Sequence, residues 1–253
     1  MFSAHGVPKS VPADATERNL FYLDATCPLV SKVHKQAMRH QKLGRHVVLI
    51  GHAGHPEVIG TMGQLPEGAV SLVETVEDAE TYMPPDADNL GFVTQTTLSV
   101  DDTAGVIKRL HERFPNLTAP AADSICYATT NRQEAVKQAA PGCDHFIIVG
   151  APNSSNSSAW SRSRCRPVRK NRFLSSASEI DWDDFADIST VGLSAGASAP
   201  EVIVNEIIEA FRERYDAAVE LADTVEETEN FLVNRELRHV PLTTQDMAFV
   251  SGD

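Results

Sequence analysis

The stretch His46-Val47-Val48-Leu49-Ile50-Gly51-His52, running into Ala53-Gly54-His55-Pro56-Glu57, decides the fold class. It is a largely β-branched apolar run, then a glycine turn rich in small and polar residues, then a proline of the kind that opens a helix. The pattern returns twice. Phe146-Ile147-Ile148-Val149-Gly150 leads into APNSSNS at 151–157, and Thr190-Val191-Gly192-Leu193 leads into SAGASAPE at 194–201, where Pro200 suits a first helical turn. Short continuous apolar strands alternating with helices predict parallel sheets in an α/β protein. Further strands are expected at 89–94 (NLGFVT) and 20–23, and a long, acidic, solvated helix at about 200–230. The tail from Phe231 reads as loosely ordered.

In such sheets ligands gather beyond the carboxyl ends of the strands, where turns feed helix N-termini. Those termini offer unpaired N–H groups and a positive dipole end, which suit phosphate. Ser154, Ser155, Asn156 and Ser198 add neutral donors there. Taken one loop at a time these residues read as helix caps. Three such loops together, none with a Walker-type lysine, read as a shared anion site.

Composition sets the outer limits. The 253 residues suffice for one large or two ordinary domains; 42% are apolar and 23% charged, as in soluble globular proteins. No run approaches the ~18 apolar residues of a membrane span and no signal segment follows Met1, so a cytoplasmic protein is expected. A formal charge of −13 argues against broad nucleic-acid binding. Cys27, Cys126, Cys143 and Cys165 are too scattered for a disulfide scaffold and form no CxxC pair, so any metal site draws on distant segments.

The chemistry-bearing strings are separate along the chain. YLDATCPLVSKVHKQ ends a short strand at Cys27 and opens a helix at Pro28, and DSICYATTNRQEAV carries Cys126 into another helix. A helix N-terminus favours the thiolate, the form that binds metal. GHAGHPEVIGTMGQ puts His52, His55 and Glu57 on one turn after a strand, and GFVTQTTLSVDDT puts Gln95, Thr96 and Thr97 at another strand end. Each string alone admits a plain reading: a structural histidine, a carboxylate complementing a helix dipole, an ordinary threonine cap.

In this order, SAHGV (3–7), DATCPLV (24–30), GHAGHPEVIGTMGQ (51–64), TQTTLSVDDT (94–103), ICYATTNRQEAV (125–136), APNSSNS (151–157) and SAGASAPE (194–201) closely resemble the 4-hydroxy-3-methylbut-2-enyl diphosphate reductase family, also called LytB/IspH. The resemblance spans nearly the whole chain. It implies small parallel-sheet α/β units in pseudo-threefold arrangement around a central cavity, with 1–27 the remnant of the first, 28–122 the second, 123–212 the third, and 213–253 the helix end and tail. It implies a [4Fe–4S] cluster held by three cysteines with one iron open. Cys27 and Cys126 match two ligand positions. The third belongs to an N-terminal segment, with a further histidine, that precedes SAHG in the family and is expected to be missing here; Cys143 is assigned to the core. The implied reaction removes an allylic hydroxyl with two electrons and protons, giving isopentenyl and dimethylallyl diphosphates. Glu57 is expected to supply the proton, with Thr96 holding the hydroxyl or a water in line. His5, His55, Ser154, Ser155, Asn156 and Ser198 are expected to cradle the diphosphate, and a ferredoxin or flavodoxin to deliver electrons.

Residues 159–172, AWSRSRCRPVRKNR, depart from the family, which continues here with an amphipathic helix opening Arg-Leu. One GC-rich spelling of Ala159 to Cys165 is GCC TGG TCG AGG TCG CGC TGC. One added C in front turns it into Arg-Leu-Val-Glu-Val-Ala-Leu, which is such a helix. A local frame slip, restored before about Phe173, is therefore expected, with a genuine basic loop as the alternative. Two functional readings follow: a reductase whose active parent is longer, or a chain truly starting at Met1 that completes no cluster and at most binds diphosphate. An unrelated α/β nucleotide-binding protein leaves the cysteine strings unexplained.

Overall fold

Strand β1 (His46–Ile50) is flanked by two parallel neighbours, β2 (Val70–Val73) and β3 (Leu90–Thr94). The register sets Ile50 opposite both Val73 and Thr94, so three strands end at one edge and deliver Gly51, Glu74 and Gln95 there. The computed structural model describes residues 1–121, 124–150, 170–222, 225, 229, 231–232 and 237–241. Contacts divide the chain into two units, Met1–Cys126 with Glu229–Val240 and Tyr127–Thr228 with Pro241–Asp253.

In the first unit the side chains of β1 alternate between two cores, as a pleated strand requires. Val48 and Ile50 join Leu90, Phe92, Val106 and Leu110 on one face, against α4 (Val76–Thr81) and α5 (Val100–Arg113). Val47 and Leu49 join Val33, Ala37, Val58 and Val93 on the other, against α2 (Pro28–Lys42) and α3 (Pro56–Met62). Cover on both faces explains why these strands read as unbroken apolar runs. A short helix, α1 (Ser10–Glu17), precedes α2.

The second unit repeats the plan. Strand β4 (His145–Val149) lies between β5 (Lys170–Leu174) and β6 (Val191–Ala195), again all parallel. Phe146 and Ile148 pack with Val136 of α6 (Tyr127–Ala139), while Ile147 and Val149 pack with Phe185 and with Ile207 of α7 (Glu201–Tyr215). Cys143 packs against the first of these clusters, and burial pushes its thiol pKa up, the setting of a core cysteine.

The α/β class with parallel sheets is thus present, and three expectations about elements change. Residues 20–23 form no strand; Phe2 N–H donates to Leu23 O and a single bridge joins Phe2 to Asp24, while Leu20 and Phe21 are exposed. The helix expected to about residue 230 ends at Tyr215, where Asp216 turns left-handed at φ 50°. Pro200 is the N-cap of that helix and lies outside its first turn. Strands β2 and β5 have no counterpart among the expected strands, and β5 carries residues 170–172 of the departing stretch into the sheet. Residues 159–169, with Cys165, lie outside the described residues.

Candidate active site

The site is built where the first sheet ends. Beyond β1 the chain turns through Gly51 to Gly54, and His55 caps α3: its Nδ1 accepts the backbone N–H of Glu57 at 3.2 Å. Beyond β3, Gln95 joins the two loops, its Oε1 accepting from the N–H of His52 at 3.0 Å and its Nε2 donating to Thr97 Oγ1 at 2.8 Å. From the end of β2, Glu74 Oε2 accepts the N–H of Ala53 at 2.9 Å. Every loop at this edge is therefore tied to another.

Glu57 is the chemical centre of the arrangement. Its side chain is 1% exposed, and Thr96 donates twice to it, from backbone N–H to Oε1 at 2.6 Å and from Oγ1 to Oε2 at 2.9 Å. Burial raises its pKa to about 7, against the pull of those two bonds, which favour the carboxylate. A buried carboxyl poised near neutrality suits an acid that gives a proton and recovers it. Thr96 also points the other way. Its carbonyl accepts the N–H of Cys126 at 3.1 Å, so the residue that grips the acid also fixes the backbone of a cysteine. Ser124 Oγ, two residues before that cysteine, donates to Gln36 Oε1 on α2 at 3.3 Å.

Cys27 is the N-cap of α2, half-buried, with its thiol taking no part in capping. It leaves an extended loop rather than the strand expected before it. Its backbone N–H donates to Ala4 O at 2.9 Å, which joins it to the SAHGV segment. That segment crosses α3 at very close range. A Cβ on Gly60 would lie 3.1 Å from the carbonyl carbon of Gly6, and Gly6 itself turns with φ +77° against the buried ring of His34. Gln64 Nε2 then donates to Val7 O and the N–H of Lys9 to Gly63 O. The segment carries exposed His5 to half-buried His55, ring centroids 5.3 Å apart and edge to face. Burial first, then the neighbouring His5 and His52, lower the His55 pKa to about 4.

Six of the expected site residues, His5, Cys27, His55, Glu57, Thr96 and Cys126, thus lie within one unit. Ser198 is exposed in the second unit, in the turn between β6 and α7. Ser154, Ser155 and Asn156 lie outside the described residues.

A sequence profile of the family described as LytB protein matches residues 1–212. The chain belongs to the LytB family. The 4-hydroxy-3-methylbut-2-enyl diphosphate reductase of Rhizobium meliloti (strain 1021) is 84% identical to this LytB-family chain, over 100% of its length and 73% of the relative's. The reductase of the same name from Brucella abortus (strain S19) is 71% identical, also over 100% of the chain and 73% of the relative. Among solved structures, the E-1-hydroxy-2-methyl-but-2-enyl-4-diphosphate reductase of Plasmodium falciparum matches with a TM-score of 0.88 at 32% identity, covering 94% of this chain and 75% of that one. The alternative reading, a remnant that only binds diphosphate, finds no support in these likenesses.

Two participants in this LytB-family site carry no role in the sequence reading. Gln95 is visible there only as one polar residue at a strand end, although its 1% exposure makes it the bolt between two loops. His34, 8% exposed beneath Gly6, reads as an ordinary residue of an amphipathic helix. No helix among the described residues is long and apolar enough to cross a membrane.

Proposed function

We propose that this chain catalyses the reductive dehydroxylation of 4-hydroxy-3-methylbut-2-enyl diphosphate. The allylic C–O bond breaks, a C–H bond forms, and the hydroxyl leaves as water. Two electrons and two protons balance the step and give isopentenyl or dimethylallyl diphosphate. The observation that carries the reading is the link Glu57–Thr96–Cys126: a buried carboxyl with pKa raised to about 7 bonds to one side of a threonine, and the backbone of a cysteine bonds to the other.

The donor set fits an iron–sulfur group in kind. Cys27 and Cys126 lie in one unit, each directly before the first residue of a helix. Among the described residues no group of three His, Cys, Asp or Glu side chains comes together as a metal site, so these two thiols are the ligands assigned here. A bound [4Fe–4S] cluster would supply the electrons to the substrate and Lewis acidity at the departing oxygen.

The protein's own residues do the rest. Glu57 delivers the proton that turns the departing hydroxyl into water. Thr96 holds the carboxyl in place and presents its hydroxyl to the same oxygen or to a water in line with it. His5, His55, Ser154, Ser155, Asn156 and Ser198 bind the diphosphate through hydrogen bonds, each worth about 1.5–3 kcal/mol when the acceptor is charged. Electrons come from a small carrier protein of the ferredoxin or flavodoxin class.

The test is anaerobic reconstitution with iron and sulfide, metal and sulfide counting, and turnover with reduced methyl viologen as donor. Bound iron and sulfide that fall in Cys27→Ser and Cys126→Ser, together with release of both isoprenoid diphosphates, support the reading. Undiminished iron in both serine variants, or no product from the wild-type protein, overturns it.

A further inference from the structure

From Ala25 to Pro56 the sequence contains no Asp or Glu, in a chain that carries 35 of them and a formal charge of −13. Helix α2 lies inside that interval, and its Lys35, Arg39 and Lys42 lie along one stripe with Lys32 at its start. Their spacing of three, four and three residues keeps them on one side of the helix, over ~15 Å from first to last. Among the described residues Lys35, Arg39 and Lys42 enter no ion pair.

An ordinary cause accounts for only half of the stripe. Arg39 and Lys42 sit in the last turn, where cations complement the negative end of the helix dipole. Lys32 sits in the second turn and Lys35 at the middle of the helix, where the dipole gives them no such advantage, and the first turn has no acid to offset them. The same helix begins at Cys27. Lys35 stands ~12 Å along the axis from that cysteine.

We propose that the basic face of α2 is the docking surface for a small acidic electron-carrier protein, which delivers electrons at the Cys27 end of the helix. This rests on the reductase reading above. A stripe ~15 Å long exceeds a diphosphate and matches the scale of a protein contact. In a chain of formal charge −13, complementarity on one helix orients the encounter as well as attracting it. The same overall charge disfavours nucleic acid as the occupant. Two successive encounters with a reduced one-electron carrier supply the two electrons of the reaction.

The probe is an oxidised bacterial ferredoxin, its affinity for the reconstituted protein measured by calorimetry at low and at moderate ionic strength. Lys35→Glu/Arg39→Glu/Lys42→Glu should weaken binding by roughly tenfold or more at low salt, and wild-type affinity should fall as salt rises. Lys35→Gln/Arg39→Gln, which adds no acid near the helix end, should weaken it less but measurably. Lys108→Glu, a reversal of an exposed side chain on α5, should leave affinity unchanged. Turnover with methyl viologen should be the same in all variants, while ferredoxin-driven turnover follows the affinities. Equal affinity in the wild type and the triple reversal, an equal loss in Lys108→Glu, or tighter capture of a single-stranded RNA than of ferredoxin, would each overturn the proposal. Loss of viologen-driven turnover in the wild type would instead strike the reductase reading, and the binding result would still decide the surface.

Discussion

Glu57→Gln separates what the buried carboxyl does for stability from what it does for turnover. The amide keeps the shape, its oxygen still accepts from Thr96 N–H, and the Thr96 hydroxyl rotates to accept from the new NH2. In the wild type a folded-state pKa of about 7, against an ordinary 4.5, means the folded protein holds this proton when the unfolded chain has lost it. Stability therefore falls as pH rises from about 4.5 to about 7, and is flat above that. The full span of ~2.5 pH units corresponds to ~3.4 kcal/mol, of which ~2.5 kcal/mol falls between pH 5 and pH 8. Glutamine cannot ionise and escapes that loss. Urea unfolding of both proteins at pH 5 and pH 8 should show the variant gaining ~2.5 kcal/mol on the wild type across the interval, because other titrating groups cancel in the comparison. Turnover should be abolished while bound iron and substrate affinity remain. Parallel stability curves for the two proteins, or a variant that still turns over near the wild-type rate, would refute the assignment of a raised pKa and a proton-donating role.

Thr96→Val removes the hydroxyl donor to Glu57 Oε2 and keeps the backbone bond, so the carboxylate is less favoured and the alkaline limb of the pH–rate profile, set by this proton donor, moves to higher pH. Stability should drop by about 1–3 kcal/mol, Thr96→Ser should restore both properties, and an unmoved profile counts against the contact. Gly6→Ala forces a Cβ to 2.7 Å from His34 Cε1 at φ +77°, and urea unfolding should register a loss of at least ~1–2 kcal/mol, with an unchanged midpoint as the contrary result. Ser198→Ala and Asn156→Ala should each weaken diphosphate binding by about 1.5–3 kcal/mol in calorimetry; unchanged affinity returns both residues to helix capping.

Of the strands that the sequence reveals, β1, β3 and β4 are covered on both faces, while β6 is an edge strand marked by the glycine-rich turn and proline that follow it. β1, β3 and β4 are runs of apolar residues because each contributes to two cores at once and leaves no face to water. β2 is four residues long with Ser71 inside it, and β5 opens Lys-Asn-Arg, so neither is an unbroken apolar run. Residues 20–23 mislead for the converse reason, since Leu20 and Phe21 are apolar but exposed. The helix after Pro200 stops when Asp216 turns left-handed, yet its acidic face continues in composition to about residue 230. In the site, Glu57 and Thr96 occupy motif strings and are legible one by one. Their mutual grip is not, because it spans 39 residues and depends on the register that ends β1 and β3 together. Gln95 is illegible as a bolt for the same reason.

The cap on α3 has a further consequence, for the location of a single hydrogen atom. Since His55 Nδ1 accepts the N–H of Glu57, the neutral ring carries its proton on Nε2, and a pKa of about 4 keeps it neutral through the physiological range. Two residues away, Glu57 is half-protonated near pH 7. The neighbours thus differ in acid–base character: the His55 tautomer is blind to pH across the physiological range, while the Glu57 carboxyl changes its protonation within it.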